Sequence, residues 1–185
     1  MTRFETPRVA IVGVGEIGRG WAALAIAAGW PITIYDSDAE LLGAATDAIG
    51  DRVVTLVRLK RAVTEVAEDA LNEMKVGRSL LHAVAEADWV IKAVAEDLPV
   101  KQKVLQQIEQ VTRETAIITS SASGFGPTAL SARLERPERF LVVRPMDPVE
   151  LIPLVEVVPS PRTDPAAVED IRFWLSLLGR APVVF

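Results

Sequence analysis

The chain has 185 residues, half of them apolar, enough for one folded domain with a core rather than two. Its formal charge is −5 and its pI near 5.0, so no basic field exists to draw nucleic acid or an anionic membrane, and neither partner is expected. With no cysteine and one histidine, His82, disulfides, thiolate metal sites, thiol nucleophiles and His-rich metal clusters are excluded, and a reducing, cytoplasmic setting fits.

The first residues run into a strand without the basic, apolar and small-residue zones of a secretion signal, which reads as an untargeted chain. No apolar stretch approaches the roughly 18 residues that a membrane span requires. Residues 8–12 (RVAIV) form a continuous apolar run bounded by glycine, the pattern of a central parallel strand covered on both faces. Residues 16–28 carry Ile17, Trp21, Leu24, Ala25 and Ala28 at helical spacing, with Gly29 as the stop, and residues 31–35 (PITIY) read as the second strand.

From residue 38 to about 70 helical periodicity continues with an interruption near Gly50, predicting two or three helices. His82 falls in a further helical stretch (SLLHAVAEA) and reads as a surface or half-buried histidine. Residues 89–94 are strand-like, 99–111 helical and 116–119 strand-like. Then follow a helix at 127–134, strands at 140–143 and 154–158, a helix at 165–178 and a last strand at 181–185. Alternating strand and helix predicts right-handed βαβ units, hence an α/β, Rossmann-type, doubly wound and mainly parallel sheet with helices on both faces, spanning residues 1–185 as one domain. The chain stops inside its last apolar run, which leaves open a domain of something larger or a true terminal strand. The leucines Leu175, Leu177 and Leu178 are where an uncovered apolar face would show a missing partner.

Gly13-Val14-Gly15-Glu16-Ile17-Gly18 is a GxGxxG set between a strand and a helix. In that context the first glycine permits the tight turn, the second admits a pyrophosphate close to the backbone, and the third lets helix and strand pack. The helix start, including Glu16 and Ile17, offers free N–H groups to an anion. A glycine turn that serves packing alone would look the same. Asp36, about 20 residues further on at the end of the second strand, tips the reading: its carboxylate can accept from ribose hydroxyls and repels a 2′-phosphate, which favours NAD over NADP. The alternative for Asp36 is a helix cap shared with Ser37 and Asp38.

GVGEIGRG, Tyr35-Asp36, Ala95-Glu96-Asp97-Leu98 with Lys101, Ser120-Ser121-Ala122-Ser123-Gly124 and residues 153–158 (PLVEVV) together resemble the 3-hydroxyacyl-CoA dehydrogenase family, and within it the carnitine and gulonate dehydrogenase (λ-crystallin) branch. The resemblance covers residues 7 to 185, the NAD-binding domain of that family. It implies NAD-linked oxidation of a small-molecule 3-hydroxyacyl-CoA or 3-hydroxy acid, with Ala95, Glu96, Lys101 and Asp147 near the cofactor, Ser123 bonded to the reacting oxygen and Glu156 orienting the catalytic base. Read without it, Glu96 and Lys101 are a solvated helix start and Ser123 a turn residue.

The family reads His-x-x-Asn-Pro where this chain has Arg144-Pro145-Met146-Asp147-Pro148. A guanidinium has donors and no acceptor, so Arg144 is no general base. Either Arg144 pairs with Glu156 and leaves an NAD-binding module with impaired catalysis, or Arg144 clamps a substrate carboxylate or polarises a carbonyl while Glu156, Lys101 or water handles the proton. A different chemistry on an anionic substrate is a third reading. Asp147 replaces an amide by a charge, and Lys92 stands where the family strand is acidic. The family's C-terminal helical domain is not in this chain, so the resemblance implies completion by such a domain or as a homodimer.

Overall fold

The structure is a computed structural model that describes residues 6–94, 97–121 and 124–185. The strand read at 8–12 forms as β1 (Val9–Val12), and all four of its residues are buried. Val9 and Ile11 pack into one apolar cluster, Ala10 and Val12 into another on the opposite face, which is why the run is apolar without alternation. A helix, α1 (Glu16–Ala27), follows and ends at Gly29, whose φ of +74° lies in the left-handed region that glycine enters without steric cost. The chain then enters β2 (Ile32–Tyr35).

Helix α2 (Ala39–Arg58) starts at Asp38, whose carboxylate accepts from the N–H groups of Glu40 and Leu41. No interruption occurs at Gly50, which lies inside this helix. A mid-helix glycine costs about 1 kcal/mol against alanine, and the burial of Ala45, Ile49, Val53 and Leu56 along one face outweighs it. Next come α3 (Thr64–Asn72), β3 (Lys75–Val76) and α4 (Leu80–Val84), which carries an exposed His82. With two residues, β3 is too short to leave a periodic signal, and the sequence reading did not include it.

The remaining strands are β4 (Trp89–Lys92), β5 (Ile117–Ser120), β6 (Phe140–Pro145), β7 (Leu154–Pro159) and β8 (Ala181–Val184). The remaining α-helices are α5 (Leu98–Glu109), α6 (Pro127–Leu130) and α7 (Pro165–Leu177). The helix expected over 127–134 stops at Leu130. The carbonyls of Ala129, inside α6, and of Arg133, beyond it, accept from the Gln102 and Gln106 side chains of α5, so α5 holds the segment at the point where the helix stops.

The strands form one eight-stranded sheet in the order β3-β2-β1-β4-β5-β6-β7-β8. The pairs from β3 through β6 are parallel, β7 runs antiparallel to β6, and β8 runs parallel to β7. One face is covered by α1, α2, α3 and α7, the other by α4, α5 and α6, which is the doubly wound arrangement. On the first face Trp89 meets Trp21 edge-on and stacks on Trp174, with centroid distances of 6.0 and 5.7 Å, and its Nε1 donates to Thr119 Oγ1 at 2.9 Å. At the N-terminal ends of the central strands β1 and β4, Asp88 accepts from both the backbone N–H and the guanidinium of Arg8 at 3.0 Å. The chain order reverses direction between β1 and β4, and a crevice opens there beyond the carboxyl ends of the strands.

Candidate functional site

The glycine turn sits at this crevice. Gly13 has φ +99°, and a Cβ on it would lie 2.5 Å from the Ala93 carbonyl oxygen, so β1 can leave the sheet beside β4 only through glycine. A Cβ on Gly18 would lie 1.8 Å from the Gly13 oxygen, which makes this glycine the closest approach of α1 to its strand. Gly15 differs: a Cβ there meets nothing within 4 Å. It caps α1 without a side chain, so the first-turn N–H groups of Glu16 and Ile17 border open space at the positive end of the helix. That cradle fits a diphosphate.

Asp36 is bonded into the turn. Its Oδ2 accepts from Val14 N at 2.8 Å and its Oδ1 from Asp38 N at 3.0 Å, while Gly13 N donates to the Tyr35 carbonyl at 2.8 Å. The carboxylate therefore fixes the phosphate turn to the end of β2. The α2 cap is Asp38, so capping does not explain Asp36. A cleft of about 510 Å³ opens beside it, bordered by Gly13, Asp36, Ser79, Leu81 and Val94, with the size and partly apolar wall that an adenosine moiety needs. A carboxylate has about four lone-pair positions, so ribose hydroxyls can still be accepted.

A second cleft, of about 300 Å³, lies across the turn and shares Val94 with the first. Ile17, Ala93, Ser121, Arg144, Met146 and Asp147 line it. Arg144 and Glu156 face each other in register on β6 and β7, and Arg144 Nη1 donates to Glu156 Oε2 at 2.8 Å. Both side chains are about one-third exposed or less. The pair named in one of the two sequence readings is present, with Arg144 in the cleft wall. Ser121 Oγ accepts from Trp21 Nε1 at 3.1 Å, a contact no sequence pattern announces.

Lys101 is buried on α5, and its ammonium donates to the Val94 carbonyl at 3.0 Å, at the point where the two clefts meet. Lys92 is buried at the end of β4, with Nζ 3.5 Å from Ser120 Oγ, and is not part of the second cleft's wall. Ala95, Glu96 and Ser123 lie outside the described residues. His82 lies at a different depression, beside Arg8 and Lys75, and takes no part in the site.

Sequence reasoning missed Arg52 beside the turn. Glu16, the first residue of α1, is ion-paired with Arg52 of α2, and Arg52 also donates to Glu150 Oε1 at 2.6 Å. The partners are 36 and 98 residues from Arg52 in sequence, so no local spacing reveals them. Among the described residues no group of three or more acidic or histidine side chains could hold a metal ion, and no helix is long and apolar enough to cross a membrane.

Over residues 8–185 the chain matches the family model described as 3-hydroxyacyl-CoA dehydrogenase, NAD binding domain. It is 33% identical over 174 residues to the L-carnitine dehydrogenase/betainyl-CoA thioesterase of Ruegeria pomeroyi, covering 94% of this chain and 35% of that protein. It is 30% identical to the lambda-crystallin of Oryctolagus cuniculus, covering 95% of this chain and 55% of that one. The crystal structure of 3-hydroxybutyryl-CoA dehydrogenase from Escherichia coli superposes with a TM-score of 0.88 at 30% identity, over 97% of this chain and 38% of that chain. The chain therefore spans between about one-third and three-fifths of the length of such relatives.

Proposed function

Since this chain belongs to the 3-hydroxyacyl-CoA dehydrogenase family as its NAD-binding domain, we propose that it serves the NAD-dependent oxidation of a 3-hydroxyacyl-CoA or a small 3-hydroxy acid to the 3-oxo compound. The observation that carries this reading is the bond from Val14 N to Asp36 Oδ2, which locks the phosphate turn and the ribose acceptor into one unit at the crevice. Asp36 takes the adenosine ribose, the N–H groups around Gly15, Glu16 and Ile17 take the diphosphate, and the cleft at Ser121, Arg144 and Asp147 takes the nicotinamide end and the substrate. NAD supplies the hydride acceptor. Lys101 and Val94 hold the wall between the two halves, and Ser123, Glu96 and Ala95 are assigned to the site by the family pattern. Residues 1–185 act as one cofactor-binding unit, in a cytoplasmic setting. The greater length of the relatives supports a substrate pocket that residues outside this sequence complete.

The Arg144–Glu156 ion pair favours a second reading, an NAD-binding module with impaired catalysis, because a guanidinium takes no proton from an alcohol. Titration of the purified protein with NADH, followed by NADH consumption with acetoacetyl-CoA, a longer 3-oxoacyl-CoA and 3-dehydrocarnitine, decides between them. Turnover establishes the dehydrogenase. Tight binding with no turnover favours the module or a dehydrogenase whose pocket needs completion by another domain, and absence of NADH binding overturns both readings.

A further inference from the structure

A diphosphate seated on the first turn of α1 meets a conflict that the glycine motif does not resolve. The first residue of that helix is glutamate, and a carboxylate there draws on the same helix-dipole field that an anionic ligand uses. Glu16 is well exposed, and its side chain is ion-paired with Arg52. Arg52 is largely buried and is held from its other side by Glu150, which is 6% exposed. Glu150 Oε1 takes the bond from Arg52, whereas its Oε2 is buried with no hydrogen-bond partner among the described residues. A buried carboxylate satisfied through one oxygen holds its cation firmly, because moving Arg52 away would break its ion pair with Glu150 and leave that charge only the field of Arg180, whose guanidinium is bonded to the Val149 and Ile152 carbonyls. Arg52 is thus fixed beside the phosphate turn by an anchor that lies outside it.

We propose that Arg52 is a positioning residue for the cofactor: it neutralises Glu16 and holds that carboxylate aside, so that the N-terminus of α1 can accept a dianionic diphosphate. This rests on NAD binding at the glycine turn. Glu150 is the anchor in this arrangement, and Glu16 is the group that must be silenced. Arg52 acts through Glu16 and needs no contact with the cofactor.

The experiment is a tryptophan-fluorescence titration with NADH on the purified protein and on Glu16→Gln, Arg52→Gln, Arg52→Lys and the Glu16→Gln/Arg52→Gln double variant, with thermal denaturation of each. Arg52→Gln raises the NADH Kd by about tenfold, the order expected for one uncompensated charge beside an anion at a partly exposed site, and steepens its dependence on salt. The double variant returns to within about threefold of the parent, and Arg52→Lys stays close to it. Glu16→Gln alone tightens binding, which decides the matter should Arg52→Gln fail to fold. A purely structural ion pair predicts that removing Glu16 does not rescue Arg52→Gln; that result, or a Glu16→Gln variant that binds no more tightly than the parent, overturns the proposal. A parent protein that folds and binds no NADH removes the NAD reading and this role together, whereas parent binding with no response from the variants removes this role alone.

Discussion

Replacing Gly15 by alanine separates the packing role of the glycine turn from its role toward the cofactor. Gly15 lies in the extended region at φ −68° and ψ −165°, which alanine adopts without strain, and a Cβ built there meets nothing within 4 Å. Alanine is a poorer helix N-cap than glycine but lowers the entropy of the unfolded chain. These effects are of opposite sign and about 0.5–1 kcal/mol each, so stability changes by less than about 1 kcal/mol. The new methyl group nevertheless fills the space over the first turn of α1, and a diphosphate must withdraw from the N–H groups it would otherwise meet. Losing one charge-assisted hydrogen bond costs about 1.5–3 kcal/mol, a roughly 10- to 150-fold rise in the NADH Kd. Fluorescence titration reads the Kd and urea denaturation reads the stability. A folded Gly15→Ala protein that binds NADH as tightly as the parent would refute the placement of the diphosphate over Gly15.

Gly18→Ala has the opposite profile: its Cβ would lie 1.8 Å from a backbone oxygen that no rotamer can move, so the variant loses about 2 kcal/mol or more of stability, and a parental melting temperature would count against the turn geometry. Burial by itself raises the Asp88 carboxyl, but the hydrogen bonds and charge of Arg8, aided by Arg113, outweigh it and hold the group below its ordinary range. Its stabilising contribution is therefore complete above about pH 4 and lost as pH falls through the depressed folded value. Asp88→Asn destabilises the protein more at pH 7 than at pH 3 in urea denaturation, and an equal effect at both values contradicts the assignment. Arg144→His places beside Glu156 an imidazole that can give a proton to the 3-oxo oxygen as hydride arrives and take it back in the reverse direction, and so raises the rate of NADH-linked reduction of 3-oxo substrates; an unchanged or lower rate argues against Arg144 as the block to catalysis.

Much of this was legible in order along the chain. The β1 run, the glycine turn, α1 and Asp36 are defined by residues within about 30 positions of one another, and their physics is local: β-branched residues, a helix stop at Gly29, and an acid at a strand end. The replacement of the family histidine by Arg144 was visible as a single letter, and its chemical consequence needs no coordinates. The end of the helix at Leu130 and the continuity of α2 through Gly50 were not legible, because contacts with other elements decide both.

What the sequence determined by itself is the class of sheet and the position of the phosphate turn, since apolar periodicity and glycine placement act over a few residues. Only the tertiary structure decided what the turn's polar groups do. The carboxylate of Asp36 bonds across to Val14, Arg144 meets Glu156 through antiparallel register, and Glu16 is paired with an arginine 36 residues away. These pairings join groups 22, 12 and 36 residues apart, and it is the pairing of β1 with β2, the pairing of β6 with β7 and the packing of α1 on α2 that bring them into contact rather than any helical or strand periodicity.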